Sequence, residues 1–264
     1  MVALAILALS PIGRPRFYEF FLQTHRAAAV ALGAMLWLHL KSSQSLSWAL
    51  LIAGTSFFGG ASALQFIRQV YISLDNRLKF AQIQGATKRE NEDSYLLEIR
   101  TARTWKVRPG TYVLLTVLNW RYVSFLQRHP LMIVWYDDRE DESNIYVIIQ
   151  AQKGWTSCID DRLRGRKVWL DGPYGSPYDA GTNNISEYDT VLLIAEESGI
   201  YAHLLLLRSL VEDLNRGCTK TRRVVLMWNT TGRYHKNIQT WLTELVIDTN
   251  EYPTVSMVVL RRGA

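Results

Sequence analysis

Two long apolar runs occupy the first quarter of the chain. The first extends from Phe17 to Leu40, and the second is "LSWALLIAGTSFFGGASALQFI" (46–67), with Lys41 the one charged residue between Ala27 and Ile67. About 20 apolar residues in a helix are enough to cross the hydrocarbon core of a bilayer. The pattern therefore predicts two transmembrane helices, with "MVALAILALS" (1–10) as the end of a preceding one. Two buried helices of a soluble protein are the alternative.

After Phe80 the pattern changes to short runs rich in β-branched and aromatic residues, separated by turn signals such as "RPGT" (108–111) and "DDREDESN" (137–144). Runs of this kind, at this spacing, are typical of a small antiparallel barrel. The predicted strands are 94–102, 111–118, 131–137, 144–152 and 167–172.

The last part alternates strands with amphipathic helices. Residues 188–217 read as a strand, a turn and a helix, and the strand 222–232, the helix 237–248 and the strand 254–260 follow. This alternation predicts a parallel α/β sheet. The whole is predicted to be an α+β multidomain protein, with a membrane part (1–78), a β-barrel (79–178) and a partial α/β domain (188–264).

Charge adds an orientation to this picture. The formal net charge is +6, and basic residues flank the outer ends of the two apolar runs. Arg14 and Arg16 precede the first run, and Arg68, Arg77 and Lys79 follow the second. The positive-inside rule places these segments, and the two domains that follow, in the cytoplasm. A basic net charge of this kind favours anionic membrane lipid or anionic ligands as partners. Because no basic stripe with interleaved aromatics is present, no nucleic-acid partner is predicted.

Two histidines lie in the first apolar run. His25 and His39 are 14 residues apart, which on an α-helix places them on nearly the same face and about 21 Å apart along the axis. Ionisable residues within a membrane helix are functional candidates, and this spacing suits two stacked haems. Bis-histidine ligation needs an opposing pair, which the remaining histidines cannot supply because they lie in the charged region. The alternative is that both are packed or snorkelling side chains.

The segment around these histidines resembles a known pattern. "RPRFYEFFLQTHRAAAVALGAMLWLH" is similar to the helix of the ferric reductase and NADPH oxidase superfamily that carries Tyr-Glu-x-Phe and then two histidines, here Tyr18, Glu19, Phe21, His25 and His39. The resemblance implies that His25 and His39 bind the iron of haem b, with the complementary pair on an earlier helix. The chain is therefore expected to be truncated at both ends relative to the family.

Four phrases in the barrel resemble the flavin domain of the same superfamily: "VRPGTYVLLTV", "RHPLMIVW", "QAQKGWTSCI" and "LDGPYGSP". The resemblance implies that FAD contacts His129, Pro130, Leu131, Met132, Gly154 and Thr156. A strand-start residue without a flavin contact is the alternative for His129. The family has a hydroxyl residue at the position of Met132, so flavin binding without that hydrogen bond is expected.

The first turn of the α/β part resembles the NAD-binding turn of the family, which reads Ala-Gly-Gly-Ser-Gly-Ile, whereas this chain has "AEESGI" (195–200). The resemblance implies NADPH contacts at Gly172, Pro173, Tyr174, Gly175, Ser198, Gly199 and Ile200. Because Glu196 and Glu197 place negative charge where phosphate would approach, weakened NADPH binding is predicted. A structural half-domain that binds no nucleotide is the alternative.

The resemblance implies a multi-pass membrane oxidoreductase of the fungal ferric-chelate reductase type, in the plasma membrane and serving iron transport. Electrons would move from NADPH through FAD and haem to an extracellular ferric or cupric chelate, and no residue is assigned as catalytic. A superoxide-producing NADPH oxidase is one alternative. The other is a non-catalytic remnant, a membrane-anchored flavin-fold protein with incomplete haem and NADPH sites that pairs with a full-length relative.

Overall fold

Two long helices form the N-terminal part, α1 (Gly13–Leu40) and α2 (Ser45–Ser73). The computed structural model describes residues 13–40, 45–75, 79–88, 94–117, 128–138, 143–150, 163–175, 185–231, 234–247 and 255–261. The chain divides into two compact units, Met1–Gln65 and Phe66–Ala264, and α2 continues from the first into the second.

The two helices differ in how well they fit a bilayer. Residues Ser47–Ser73 of α2 are long and apolar enough to cross a membrane, and within the described residues this is the single helix that meets that criterion. The apolar stretch of α1 is the shorter Ala27–His39, because charged residues occupy the N-terminal half of that helix. Two membrane helices are therefore not confirmed, and the first remains a prediction. Phe57 and Phe58 of α2 are 81% and 74% exposed, as expected for a lipid-facing surface.

Six antiparallel strands follow. They are β1 (Gln82–Lys88), β2 (Ser94–Arg100), β3 (Tyr112–Val117), β4 (His129–Asp138), β5 (Ser143–Gln150) and β6 (Val168–Tyr174). The sheet order is β1-β2-β5-β4-β3-β6. A bridge between Gln82 and Lys167 and a hydrogen bond from Val168 N–H to the Ala81 carbonyl (2.9 Å) join the two edges. The sheet therefore closes into the predicted barrel, with β1 as an additional strand.

The C-terminal part is a parallel three-stranded sheet with the order β7-β8-β9. Its elements are β7 (Thr190–Glu196), α3 (Ile200–Asn215), β8 (Arg223–Thr230), α4 (Lys236–Ile247) and β9 (Val255–Arg261). The predicted α/β alternation is confirmed. The predicted domain boundaries remain predictions.

The barrel and the α/β part share a hydrophobic core. The Trp135 ring of β4 stacks on the Trp241 ring of α4 with centroids 5.2 Å apart, and Tyr146 of β5 packs edge-on against Trp241, also at 5.2 Å. The Arg208 guanidinium of α3 lies 3.9 Å above the Tyr136 ring and donates a hydrogen bond to the Tyr136 carbonyl. These contacts fix the α/β part against strands β4 and β5.

Candidate functional site

One exposed surface of the barrel combines aromatic and thioether side chains. Strand β3 pairs with β4 so that Tyr112 lies opposite Met132, and with β6 so that Tyr112 lies opposite Tyr174. Tyr112 and Met132 are 39% and 37% exposed, and the Tyr112 and Tyr174 rings are 5.7 Å apart. We call Tyr112, Pro130, Met132 and Tyr174 the flavin platform, because side chains of this kind offer a flat apolar contact to a planar ring.

Strand alternation divides the FAD residues predicted on β4 between two faces. Pro130 and Met132 are exposed and belong to the platform, whereas Leu131 faces the barrel core, with 9% of its surface exposed. His129 is half-buried at the start of β4, opposite Leu115. The Leu131 side chain therefore packs in the barrel core and does not face a ligand on the platform. Gly154 and Thr156 lie outside the described residues.

Tyr112 is the platform residue that the sequence analysis did not select. It lies within the quoted phrase "VRPGTYVLLTV", but nothing in that phrase identifies which of its alternating residues face solvent. In the structure Val113 and Leu115 are buried and Tyr112 is exposed. The sequence therefore carried no signal that would have selected Tyr112.

A buried carboxylate connects the platform to the end of α2. The Asp171 side chain is fully buried, and its Oδ2 lies 3.5 Å from Nη1 of Arg128. Arg128 also donates to Oε1 of Gln69 on α2 (3.4 Å), and the Tyr174 hydroxyl donates to Asp171 Oδ1. Buried charge needs partners of this kind to be tolerated. The network therefore joins the residue before His129, strand β6 and the last turns of α2.

Tyr174 is held from both sides. Arg68 of α2 lies 5.0 Å from the centre of its ring and donates to its hydroxyl (3.4 Å). Burial raises the pKa of the Tyr174 phenol, and the hydrogen bond that it donates to Asp171 raises it further. The phenol therefore stays protonated at neutral pH and remains a donor to Asp171.

Gly172 and Gly175 allow β6 to approach β3 closely. Both have positive φ, 148° and 77°. A Cβ on Gly172 would lie 3.2 Å from the Tyr112 carbonyl, and one on Gly175 would lie 3.1 Å from the Gly110 carbonyl and 3.2 Å from the Tyr112 ring. These glycines therefore have a packing role beside the platform. Their predicted contact with NADPH, like that of Pro173 and Tyr174, remains a prediction.

The turn after β7 is occupied by a side chain of the protein itself. Oε1 of Glu197 accepts a hydrogen bond from the backbone N–H of Thr231 (2.8 Å), just beyond the C-terminal end of β8. The Glu197 carbonyl accepts from Nε1 of Trp228 (3.0 Å). Nucleotides bind parallel sheets at the C-terminal ends of the strands. The Glu197 carboxylate therefore lies at the edge of the sheet where nucleotides bind in folds of this kind.

The other predicted turn residues differ in exposure. Ser198 and Gly199 are exposed, whereas Ile200 is 1% exposed and belongs to the core under α3. Gly199 has an ordinary helical φ of −60°, and a Cβ there would meet no atom within 4 Å. Ser198 and Gly199 are therefore available to a ligand, while the side chain of Ile200 is not.

His25 and His39 both lie on α1 and both are exposed. Their separation of 14 residues in one continuous helix corresponds to about 21 Å. The described residues contain no cluster of three or more His, Cys, Asp or Glu that could hold a metal ion. The helix therefore carries two imidazoles at different positions along its axis. Any further ligands to haem iron would have to come from other segments.

Comparison with known proteins agrees with this architecture. An FAD-binding domain family matches residues 86–178, the segment that contains five of the six barrel strands in full and the whole platform. A barrel with this domain, followed by a parallel α/β part, defines the class as FAD-binding proteins.

The relatives identify the family within this class. The chain is 25% identical to ferric reductase transmembrane component 3 of Saccharomyces cerevisiae over 71% of its own length and 25% of that protein. It is 26% identical to NADPH oxidase 4 of Rattus norvegicus over 52% of its length and 25% of that protein. The chain belongs to the ferric reductase and NADPH oxidase superfamily. It spans about a quarter of the length of these relatives.

A solved structure with a similar fold is a cytochrome P450 reductase from Amycolatopsis. It is 18% identical, with a TM-score of 0.47, covering 69% of this chain and 50% of that one.

The described residues fit the implied cofactors unequally. The platform exposes aromatic and thioether side chains, which are suited to contact with the planar ring of a flavin. The turn after β7 exposes Ser198 and Gly199 to a dinucleotide, but the carboxylate of Glu197, which accepts the Thr231 N–H, places a negative charge beside them. Weakened NADPH binding remains a prediction.

Proposed function

We propose that this chain is the flavin-binding part of a membrane oxidoreductase of the ferric-chelate reductase type. The observation that carries the proposal is the platform of Tyr112, Pro130, Met132 and Tyr174 within the matched FAD-binding domain. Bound FAD would supply hydride acceptance and single-electron donation. The relatives named ferric reductase and ferric/cupric reductase support a ferric or cupric chelate as the acceptor.

The residues of the chain have defined parts in this proposal. Tyr112 and Met132 would contact the flavin ring, and Tyr174 packs against Tyr112 from the neighbouring strand. The buried Asp171 and its partner Arg128 hold the start of β4 against β6. Because Met132 has no hydroxyl, it would hold the flavin by packing and not by a side-chain hydrogen bond.

The link between the barrel and α2 supports a membrane location. The Ser73 hydroxyl, which is fully buried, donates to the Leu170 carbonyl (3.0 Å) and accepts from the Leu170 N–H (2.9 Å). The Phe66 ring stacks on Trp169 at 5.7 Å. Strand β6 is thus held directly at the end of the helix that is long enough to cross a bilayer.

An acceptor experiment tests the ferric-chelate assignment. The full chain, purified in detergent and loaded with FAD, is reduced anaerobically with dithionite, freed of excess reductant and mixed with ferric citrate, cupric citrate or oxygen. The proposal predicts fast reoxidation of the flavin by the metal chelates. Reoxidation by oxygen alone would favour the superoxide-producing alternative.

A second candidate is favoured by one observation. The contact between Glu197 and Thr231 supports a flavoprotein that does not accept electrons from NADPH through its own α/β part. Such a protein would depend on another electron donor or on a full-length relative. Anaerobic addition of NADPH to the FAD-loaded chain separates the two candidates, since bleaching of the flavin within the turnover time of ordinary reductases would exclude the second one.

A further inference from the structure

A cavity of about 450 Å³ lies beside the last turn of α2 and outside the flavin platform. It is lined by Tyr71 and Ile72 of α2, by residues 103–106 of the segment after β2, and by Gly172 and Pro173 of β6. All of these residues belong to the unit Phe66–Ala264. Its volume is sufficient for the head group of a lipid, since ordinary ligand pockets begin at about 300 Å³.

The lining is positively charged. Arg103 and Lys106 contribute to it, and the described lining residues include no carboxylate. Arg103 is fixed in place, because its Nε donates to the Tyr71 carbonyl (3.0 Å) and its guanidinium lies 4.0 Å from the centre of the Tyr71 ring. Lys106 is exposed. One preoriented guanidinium and one mobile ammonium are suited to a phosphate group.

The position along α2 specifies the source of that phosphate. Arg68 is the first charged residue after the apolar run, and Tyr71 follows it by three residues, or about 4.5 Å along the helix axis. The polar head-group layer extends about 5–7 Å beyond the hydrocarbon core on each side. If α2 crosses the membrane, the cavity is therefore at the depth of the lipid phosphates.

The surface next to the cavity suits acyl chains. Phe66 and Ile67, one turn earlier on α2, are 58% and 61% exposed. Tyr71 and Trp105 line the cavity itself, and aromatic residues of this kind are enriched at membrane interfaces. A phospholipid could therefore place its chains along α2 and its phosphate between Arg103 and Lys106.

We propose that this cavity binds the head group of an anionic phospholipid of the leaflet that faces the barrel. The inference depends on the membrane location proposed for α2 and is independent of flavin binding. Each cation near an anionic membrane surface contributes about 1 kcal/mol, or about fivefold in affinity. Two cations therefore predict about 25-fold preference for an anionic over a zwitterionic lipid.

Lipid binding can be measured directly on the full chain. The protein is purified in detergent, stripped of lipid and titrated by native mass spectrometry with dioctanoyl phosphatidic acid and with dioctanoyl phosphatidylcholine. We expect phosphatidic acid to bind about 25-fold more tightly. Equal affinities for the two lipids would overturn the proposal. So would displacement of phosphatidic acid by equimolar NADPH, which would assign the cavity to a nucleotide, or by glycerol phosphate, which would assign it to a soluble phosphate.

Variants of the two basic lining residues test whether phosphatidic acid binds in this cavity. Lys106→Gln is expected to weaken phosphatidic acid binding about fivefold, and the pair Arg103→Gln with Lys106→Gln about 25-fold, with phosphatidylcholine unchanged. The matched control is Arg223→Gln with Lys236→Gln, which removes two exposed charges from the α/β part. If the control weakens binding as much as the cavity pair, the charge of the whole surface is responsible and the proposal fails. Because Lys106 is exposed, its single variant carries the test even if the Arg103 variant folds poorly.

Discussion

At the scale of single residues, Glu197 shows how one side chain changes a binding turn. Its φ is 45°, in the left-handed region that favours glycine. Its carboxylate accepts the Thr231 N–H at the end of the neighbouring strand. The residue therefore combines backbone strain of about 1–2 kcal/mol with a negative charge at the position where phosphate would bind.

Replacing Glu197 by glycine should strengthen nucleotide binding. In Glu197→Gly the strain is relieved and one hydrogen bond is lost, so the free energy of unfolding should change by no more than about 1 kcal/mol. The affinity for NADPH, measured by calorimetry, should rise about tenfold or more because the carboxylate is gone. Glu196→Gly is the control, since Glu196 has an extended backbone (φ −121°, ψ 130°). An equal gain in both variants would show that total charge, and not the Glu197 contact, weakens NADPH binding.

The platform depends on a second residue with a constrained backbone. In Gly175→Ala the new methyl group would lie 3.1 Å from the Gly110 carbonyl and 3.2 Å from the Tyr112 ring, with φ at 77°. We expect a loss of about 1–2 kcal/mol in unfolding free energy and weaker FAD binding, because Tyr112 has to move. Gly199→Ala should leave both unchanged, since its Cβ meets no neighbour. Unaltered FAD affinity in Gly175→Ala would show that the position of Tyr112 does not matter.

At the scale of secondary structure, strand β4 contributes residues both to the platform of the barrel and to the contact with the α/β part. One end carries Pro130 and Met132 of the platform, and the other carries Trp135 and Tyr136, which contact α4 and α3. Burial raises the pKa of the Tyr136 phenol, while the nearby Arg208 opposes that shift. The folded state therefore holds the Tyr136 proton more tightly than the unfolded chain does.

This shift predicts a pH dependence of stability. The contribution of Tyr136 is fully present below about pH 10, the pKa of an unfolded tyrosine, and is lost as the pH rises through the higher folded pKa. Tyr136→Phe should therefore reduce the fall in Tm between about pH 9 and pH 11, measured by calorimetry in detergent. Tyr188→Phe, at an exposed position, is the control. Identical slopes in the two variants would contradict the buried state of Tyr136.

The sequence predicted most elements because their signals were local. The β-branched runs identified five barrel strands, and the apolar spacing identified α3 and α4. Strand β1 was not predicted from the sequence. Its segment "QIQGATK" contains Gly85 at a bulge and has Ile83 as its single buried residue, so no alternation of apolar and polar residues is visible. Two features of the site could not be predicted from the sequence. Which face of β3 is exposed depends on pairing with β6, and the contact from Glu197 to Thr231 joins residues 34 positions apart.

At the scale of the whole molecule, the structure links a candidate membrane helix to a flavin platform through a few buried polar contacts. Ser73, Asp171 and Arg128 form these contacts near strand β6. They hold the last turn of α2 against the barrel. The proposed lipid cavity lies beside the same helix end.

Removing the Ser73 hydroxyl tests this link. Ser73→Ala leaves the Leu170 N–H and carbonyl without this partner in a buried position, which should cost about 2–3 kcal/mol in unfolding free energy. Limited proteolysis should then cut the segment between α2 and β1 faster. Ser209→Ala, a partly exposed position on α3, is the control. Unchanged proteolysis and stability would show that the helix end is held by apolar contacts alone.

Binding of FAD to the platform can be measured by titration of the full chain with FAD. In detergent, followed by the quenching of flavin fluorescence, the wild-type chain should bind a stoichiometric amount of FAD. Tyr112→Ala should raise the Kd about tenfold, since an aromatic contact contributes about 1.5 kcal/mol, while the exposed control Tyr188→Ala should leave it unchanged. No saturable FAD binding by the wild-type chain, or equal affinity in the Tyr112 variant, would contradict the account.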